Sequence, residues 1–320
     1  MSTTIEKLVL AAPRGYCAGV DRAVQTVERA LELHGKPVYV RKEIVHNRHV
    51  VEELTERGAV FVDEVTEVPR GAVCVFSAHG VSPEVRVGAD ARALDTIDAT
   101  CPLVTKVHRE AVNFADRGYT IVLVGHHGHE EVEGTMGEAP ERMRLVESEE
   151  DVAALEVEDP EKVAYITQTT LAVDETSAIV ARLRERFPSI VGPRTDDICY
   201  ATTNRQAAVK RIADMCDLLL VIGSRNSSNS MRLVEVARDC GSESHLIDNV
   251  SEVREEWLEG KRVVGISSGA SAPENLVQEL IDFFRDRGVS EVAEFDVVRE
   301  DVRFMLPKPI REAAAASEAR

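Results

Sequence analysis

Aromatic side chains are scarce: they make up 4% of a 320-residue chain that holds a single tryptophan. A core must therefore be packed mainly from Val, Leu, Ile and Ala. No apolar run approaches the roughly 20 residues that a membrane helix needs. The longest, Leu218–Ile222 among them, have the length of a strand. The opening residues, Met-Ser-Thr-Thr-Ile-Glu-Lys, lack the basic and apolar pattern of a secretory leader, so a soluble, cytoplasmic protein is expected. Cations are in deficit too. A formal net charge of −18 argues against a general nucleic-acid binder and against adhesion to anionic membranes. A local cationic pocket for a small anionic substrate is compatible with that total. The glycine motifs GxxxxGK[ST] and GxGxxG are missing, which removes the commonest phosphate-binding signatures. Six cysteines occur without a compact CxxC pair. In a large chain with no leader they are not a disulfide framework, and reduced thiols are expected.

What is present is alternation. Short apolar runs recur at Leu8–Ala12, Val38–Val40, Val73–Phe76, Ile121–Val124, Val163–Ile166, Leu218–Ile222 and Val263–Ile266. Helical patterns lie between them, as at Val20–Leu33, Leu103–Arg117, Thr176–Phe187 and Glu274–Arg287. Strand and helix in turn imply an α/β fold with mainly parallel sheets. The alanine-rich tail, Ala313–Arg320, reads as a frayed end.

The chain also repeats itself. Cys17, Cys101 and Cys199 each stand where an apolar run gives way to a helical pattern, Pro102 suiting a first helical position after Cys101. A polar cluster follows each cysteine 28 or 29 residues on: His46-Asn47, then Gly125–His129, then Gly223–Asn229. A further cluster comes later in each repeat: Ser77–Gly80, Thr167–Thr170 and Ser267–Ser271. Strand carboxyl ends are where parallel α/β units bind ligands. The repeat predicts three similar lobes, 17–100, 101–197 and 198–288. Residues 1–16 add a strand to the third lobe, and 289–320 form a C-terminal extension.

Three thiolates facing one centre suit either zinc or an iron–sulfur cluster. A [4Fe–4S] cluster held by three cysteines keeps one iron open. A single cysteine is most often a small buried hydrophobe, the role expected of Cys74, Cys216 and Cys240. His46, His79 and His129 can donate to phosphate oxygens. Ser227, Ser228 and Asn229 precede a helical pattern and would seat an anion, although a serine there is commonly only an N-cap. Ser271 before Pro273 repeats the device. Glu130, Glu131 and Glu133 are either a solvated helix start or proton donors near a substrate, and position alone does not choose among them. Two other classes use the same features. A structural zinc or cluster-bearing regulator would have no turnover, and a nucleotide-binding α/β module would ignore the thiols.

Taken together, PRGYCAGVDRAV, VHNRHVVEEL, FSAHGVS, DATCPLVTKVH, GHEEVEGT, TQTTL, DDICYATTNRQ, GSRNSSNS and GASAPE resemble the LytB/IspH family of 4-hydroxy-3-methylbut-2-enyl diphosphate reductases. The likeness runs from residue 13 to residue 274. It implies a trefoil of three α/β lobes with pseudo-threefold symmetry around a central [4Fe–4S] cluster, which becomes [3Fe–4S] if the open iron is lost. Cys17, Cys101 and Cys199 match the cluster ligands. His46, His79, His129, Ser227, Ser228, Asn229 and Ser271 match the diphosphate-binding set. Glu131 matches the proton donor, and Thr169 the threonine beside that glutamate and the substrate hydroxyl. The implied reaction is reductive dehydroxylation of the hydroxylated allylic diphosphate to isopentenyl and dimethylallyl diphosphate, the final step of the non-mevalonate pathway. A ferredoxin or flavodoxin is the implied electron donor. His127 departs from the family pattern, which has a small residue there.

Overall fold

The computed structural model describes residues 5–318. The first four residues of the opening stretch and the last two of the alanine-rich tail lie outside the described residues. Three parallel sheets carry the chain, and they fall into two compact units.

The first unit comprises the residues up to Ala18, His46–Val50 and Tyr200–Arg303. Its sheet contains β1 (Lys7–Ala12), β9 (Leu218–Ile222), β10 (Glu243–Ile247), β11 (Val263–Ser268) and β12 (Glu291–Asp296), in the order β10-β9-β11-β1-β12. All neighbouring strands run parallel. All five residues of β9 are fully buried, which is why that strand reads as an unbroken apolar run. Its alternate side chains serve two cores. Leu218, Leu220 and Ile222 pack with Leu276, Val277, Leu280 and Phe284 of α11 (Glu274–Asp286). Leu219 and Val221 pack with α8 (Tyr200–Ala213) through Ala208, Val209 and Ile212, and with α9 (Ser228–Asp239) through Leu233 and Ala237. Each such leucine contributes about 1.5–3 kcal/mol by leaving water.

The second unit comprises Gly19–Val45, Val51–Cys199 and the residues from Phe304 onward. One of its sheets has the order β3-β2-β4-β5, from β2 (Val38–Arg41), β3 (Ala59–Val62), β4 (Val73–Phe76) and β5 (Asp95–Asp98). The other has the order β7-β6-β8, from β6 (Thr120–Val124), β7 (Met143–Val146) and β8 (Val163–Thr167). These pairs are parallel as well. Helix α3 (Pro83–Ala91) joins β4 to β5, α4 (Pro102–Asp116) leads from that sheet to β6, α5 (Glu130–Met136) and α6 (Glu149–Ala154) join β6 to β7 and β7 to β8, and α7 (Val173–Arg186) follows β8. The helix α1 (Ala18–His34) and α2 (Arg48–Arg57) both pass from the first unit into the second, and α10 (Glu255–Leu258) is a single turn.

The expected α/β class with parallel sheets is therefore what the chain adopts. The boundaries differ in three respects. Residues 17–100 and 101–197 lie largely in one unit, and His46–Val50 belongs to the other. The stretch from 289 is not merely an extension, because β12 pairs with β1 along its whole length and closes the five-stranded sheet. The tail is not frayed through its described part: α12 spans Lys308–Glu318, in keeping with the high helix propensity of its alanines.

Candidate active site

Each of the three repeated cysteines is the residue just before a helix. Cys17 precedes α1, Cys101 is the N-cap of α4, and Cys199 precedes α8. The repeat recurs in the backbone hydrogen bonds. The Cys17 amide donates to the Ala270 carbonyl at 3.1 Å, Cys101 to Ala78 at 3.0 Å, and Cys199 to Thr169 at 3.0 Å. Every acceptor belongs to one of the strand-end clusters. All three cysteines are half-buried and none is in a disulfide. They sit at helix starts, the positive ends of the helix dipoles. The other cysteines differ in kind. Cys74 is fully buried within β4, and burial pushes its thiol up to about 11. Burial also pushes the Cys216 thiol up, and its Sγ lies 3.4 Å from the Ile212 carbonyl. Cys240 caps the carboxyl end of α9, the wrong end for an anion.

In the first unit, the turn bearing Cys17 is held from beneath. The Gly15 amide donates to Ser268 Oγ at 2.8 Å. The fully buried Arg205 donates to the Gly15 carbonyl at 2.7 Å through Nη2, and to Glu300 at 3.1 Å through Nη1. Gly15 has φ +70°, so a side chain there would be strained. The Ala18 amide, in the first turn of α1, donates to the Tyr200 hydroxyl at 3.2 Å. Burial pushes that hydroxyl up to about 12, which keeps its proton in place.

The same unit holds the serine cluster. Ser227 is the N-cap of α9, and its Oγ accepts from the Ser230 amide at 3.4 Å and from the Ser230 hydroxyl at 3.0 Å. A capping role is thus real for Ser227. Asn229 is different: it is 4% exposed, and neither atom of its amide has a hydrogen-bond partner. Ser267 Oγ is likewise buried and unpaired. Unpaired groups of this kind are costly to folding. Gly269 lies close by, since a Cβ there would fall 2.0 Å from Ser230 Oγ and 3.5 Å from Asn229 Nδ2. Ser271 does not repeat the cap. Its hydroxyl donates to the His46 carbonyl at 2.9 Å, whereas α11 begins after Pro273 with no side-chain cap. Ser271 and His46 are thereby brought together, with the Asn226 amide 3.5 Å from His46 Nδ1.

The second unit places its residues at the carboxyl ends of β4, β6 and β8. The turn after β4 carries His79, whose Nδ1 lies 3.0 Å from Glu130 Oε2 and 3.3 Å from Ser77 Oγ. His129 is the N-cap of α5, and its Nδ1 accepts from the Glu131 amide at 3.1 Å. An accepting Nδ1 puts the neutral ring's proton on Nε2. The two imidazoles meet edge to face with centroids 5.9 Å apart. Glu131, 2% exposed, turns inward. The Thr169 amide donates to its Oε1 at 2.6 Å and the Thr169 hydroxyl to its Oε2 at 2.9 Å. Adjacent glutamates thus have separate tasks: Glu130 pairs with His79, and Glu131 with Thr169. Glu133 lies further along α5 and lines a cavity with Arg41 and Glu64.

Several supporting residues escaped the sequence reading. Arg22 donates to the Ala99 and Thr100 carbonyls at 2.9 and 3.0 Å, just before Cys101, and is electrostatically coupled to that thiol. Lys106 of α4 donates to Thr195 O, Asp196 O and Asp197 Oδ1, and Asp197 Oδ2 accepts from the Thr167 amide at 2.9 Å. That network fixes the segment leading to Cys199. No spacing rule could reveal it, because its partners are distant in sequence. His127, the departure from the expected small residue, is exposed, and its amide donates to Glu147 at 2.7 Å.

These features define a parallel α/β protein whose strand ends carry thiols at helix starts, with a hydroxyl and amide cluster in its first unit and a buried carboxylate and imidazoles in its second. The chain belongs to the LytB protein family, whose model matches residues 8–285. A protein of Nocardia farcinica described as 4-hydroxy-3-methylbut-2-enyl diphosphate reductase is 60% identical over 309 residues, covering 96% of this chain and 92% of that one. A Streptomyces avermitilis protein of the same description is 55% identical over 320 residues, covering 98% and 95%. Among solved structures, the E-1-hydroxy-2-methyl-but-2-enyl-4-diphosphate reductase of Plasmodium falciparum superposes with a TM-score of 0.95 at 37% identity, covering 99% of this chain and 100% of that one. A second, described as the terminal enzyme of the non-mevalonate pathway, gives 0.62 at 30% identity over 88% of this chain and 100% of that one.

Proposed function

We propose that the protein reduces (E)-4-hydroxy-3-methylbut-2-enyl diphosphate to isopentenyl and dimethylallyl diphosphate in the cytoplasm, drawing electrons from a ferredoxin or flavodoxin. The observation that carries this reading is Glu131, a buried carboxylate gripped at both oxygens by Thr169, in a chain whose relatives bear that enzyme's name.

The donor set fits an iron–sulfur cluster. Three half-buried thiols occupy equivalent helix starts, while the remaining cysteines have raised thiols or sit at a helix end of the wrong sign. Cys17, Cys101 and Cys199 would hold one [4Fe–4S] cluster with one iron open, which when bound supplies electrons and a Lewis acid.

The remaining work falls to the protein. The diphosphate is seated by the hydroxyls of Ser227, Ser228 and Ser271, the Asn229 amide and the N–H groups opening α9, together with His46, His79 and His129. Glu130 accepts from His79 Nδ1, so that the other ring nitrogen is turned to the ligand. Remote binding of the diphosphate orients the carbon bearing the hydroxyl. Glu131 takes up a proton from solvent before each transfer and delivers it to the departing water or the carbon skeleton, and the Thr169 hydroxyl lies on that route.

Anaerobic incubation of iron-replete protein with the hydroxylated diphosphate and a chemical reductant tests the reading. Both five-carbon diphosphates are expected as products. Glu131→Gln should slow turnover at least about 100-fold with iron content unchanged. No product from iron-replete wild type would overturn the proposal.

A further inference from the structure

His108 closes the DATCPLVTKVH stretch, and nothing in the proposed chemistry uses it. It lies one turn beyond Val104 on α4, within the buried stripe that also includes Val107, Ala111 and Phe114. Its Nδ1 is 2.8 Å from Glu138 Oε1, just past the end of α5. Burial holds the imidazole below its ordinary range in spite of Glu138, so the ring packs neutral, with Nδ1–H donating to the carboxylate. Its Nε2 is buried without a partner.

Gly80 makes room for this ring, and Gly134 faces it. At Gly80 a Cβ would stand 3.0 Å from His108 Cε1, 3.1 Å from Nε2 and 3.2 Å from Val104 Cγ1. At Gly134 a Cβ would stand 3.4 Å from the same Cε1 and 3.4 Å from the Gly80 carbonyl. Gly80 directly follows His79, and Gly134 lies one helical turn beyond Glu130 and Glu131 on α5. The ring therefore packs against the turn that presents His79 closely enough to leave no room for a side chain at Gly80, and it faces Gly134 on the helix that presents Glu130 and Glu131. Its own helix begins at Cys101.

We propose that His108, locked by Glu138, is a positioning residue that sets His79 and the Glu130–Glu131 pair in place against the Cys101 helix. This rests on the function proposed above, because it assigns His108 influence over a diphosphate-binding group and a proton donor together. A leucine of similar volume would fill the space but lose the bond to Glu138, leaving the ring's neighbours free to shift. Displacements of about 1 Å at a reacting centre can cost 100-fold in rate.

The test compares wild type with His108→Leu, His108→Asn and Glu138→Leu as cluster-loaded holoproteins. For each, KM and kcat are measured, along with equilibrium binding of the diphosphate without reductant, thermal midpoint and iron content. In protein labelled at histidine rings, nuclear magnetic resonance follows His79 and His129. His108→Leu and Glu138→Leu are expected to raise KM and the dissociation constant about tenfold and to lower kcat about tenfold. Iron content should be unchanged, and the His79 and His129 signals should move. His108→Asn, which keeps a donor near the position of Nδ1, should recover much of each loss. A structural role alone would lower the thermal midpoint and the active fraction without moving KM. The inference falls if wild type reduces the diphosphate and His108→Leu matches it in KM and kcat with both ring signals unmoved. If the signals move and return as stated while no variant or wild type binds or reduces the diphosphate, the positioning stands and the proposed function falls.

Discussion

Asn229 shows how one side chain separates folding from function. Its buried amide has no partner at either atom, which costs folding on the order of 1–3 kcal/mol. Asn229→Leu, similar in size and apolar, should raise the denaturation midpoint while weakening diphosphate binding by about tenfold or more, as read by calorimetry. A variant that lost stability as well would show the amide to be structural. Residues of this scale were unevenly legible in the sequence. The three cysteines stood out because repetition distinguished them from Cys74, Cys216 and Cys240. Glu130 and Glu131 did not separate, since neighbours on a helix differ only in direction, and the choice depends on Thr169, 38 residues along the chain. Ser271 looked like a second Ser227, yet its hydroxyl is engaged with His46 rather than with a helix.

At the scale of elements, what the sequence hid was mostly at sheet edges. The apolar runs located β1, β2, β4, β6, β8, β9 and β11, of which β8 alone is an edge strand, whereas β3, β5, β7, β10 and β12 all occupy edges and, β3 apart, carry mixed sequences. An edge strand buries less of itself, so its composition is freer and its signal weaker. The loops are anchored by ionic contacts that no periodicity encodes. Glu110 on α4 lies beside one of them, the Lys106–Asp197 pair: burial, with the Asp197 carboxylate, pushes its pKa from 4.5 to about 7. The folded state thus binds a proton more tightly than the unfolded chain. That contribution is complete below about pH 4.5 and is lost as pH rises through about 7. Glu110→Gln should therefore flatten the fall in thermal midpoint across this window, and parallel curves for the two proteins would refute the assignment. Arg205 anchors the Cys17 turn in the same manner. Arg205→Leu removes the donors to Gly15 and leaves Glu300 half-buried without its cation, and it should cost about 3 kcal/mol or more in chemical denaturation.

For the whole molecule, the threefold repetition in sequence is matched by three parallel sheets and by three cysteine amides bonded to three strand-end clusters. The N-terminal strand β1 pairs with β11 of the third lobe, as expected of residues 1–16, whereas the pairing of β12 along its other side was not legible. Such pairings are set by packing rather than by local pattern. Among the described residues no helix is long and apolar enough to cross a membrane. The net charge of −18 coexists with a proposed anion seat because serine, asparagine, histidine and helix N–H groups bind phosphate without many formal charges.

The central claim is that three equivalent thiols serve one iron–sulfur centre. Iron and sulfide analysis of anaerobically purified wild type, beside Cys17→Ser, Cys101→Ser, Cys199→Ser and Cys216→Ser, tests it most directly. The account predicts about four irons and four sulfides per chain in wild type and in Cys216→Ser, with most of both lost from each of the other three. Full iron retained by any one of those three, or equal loss from Cys216→Ser, would contradict it.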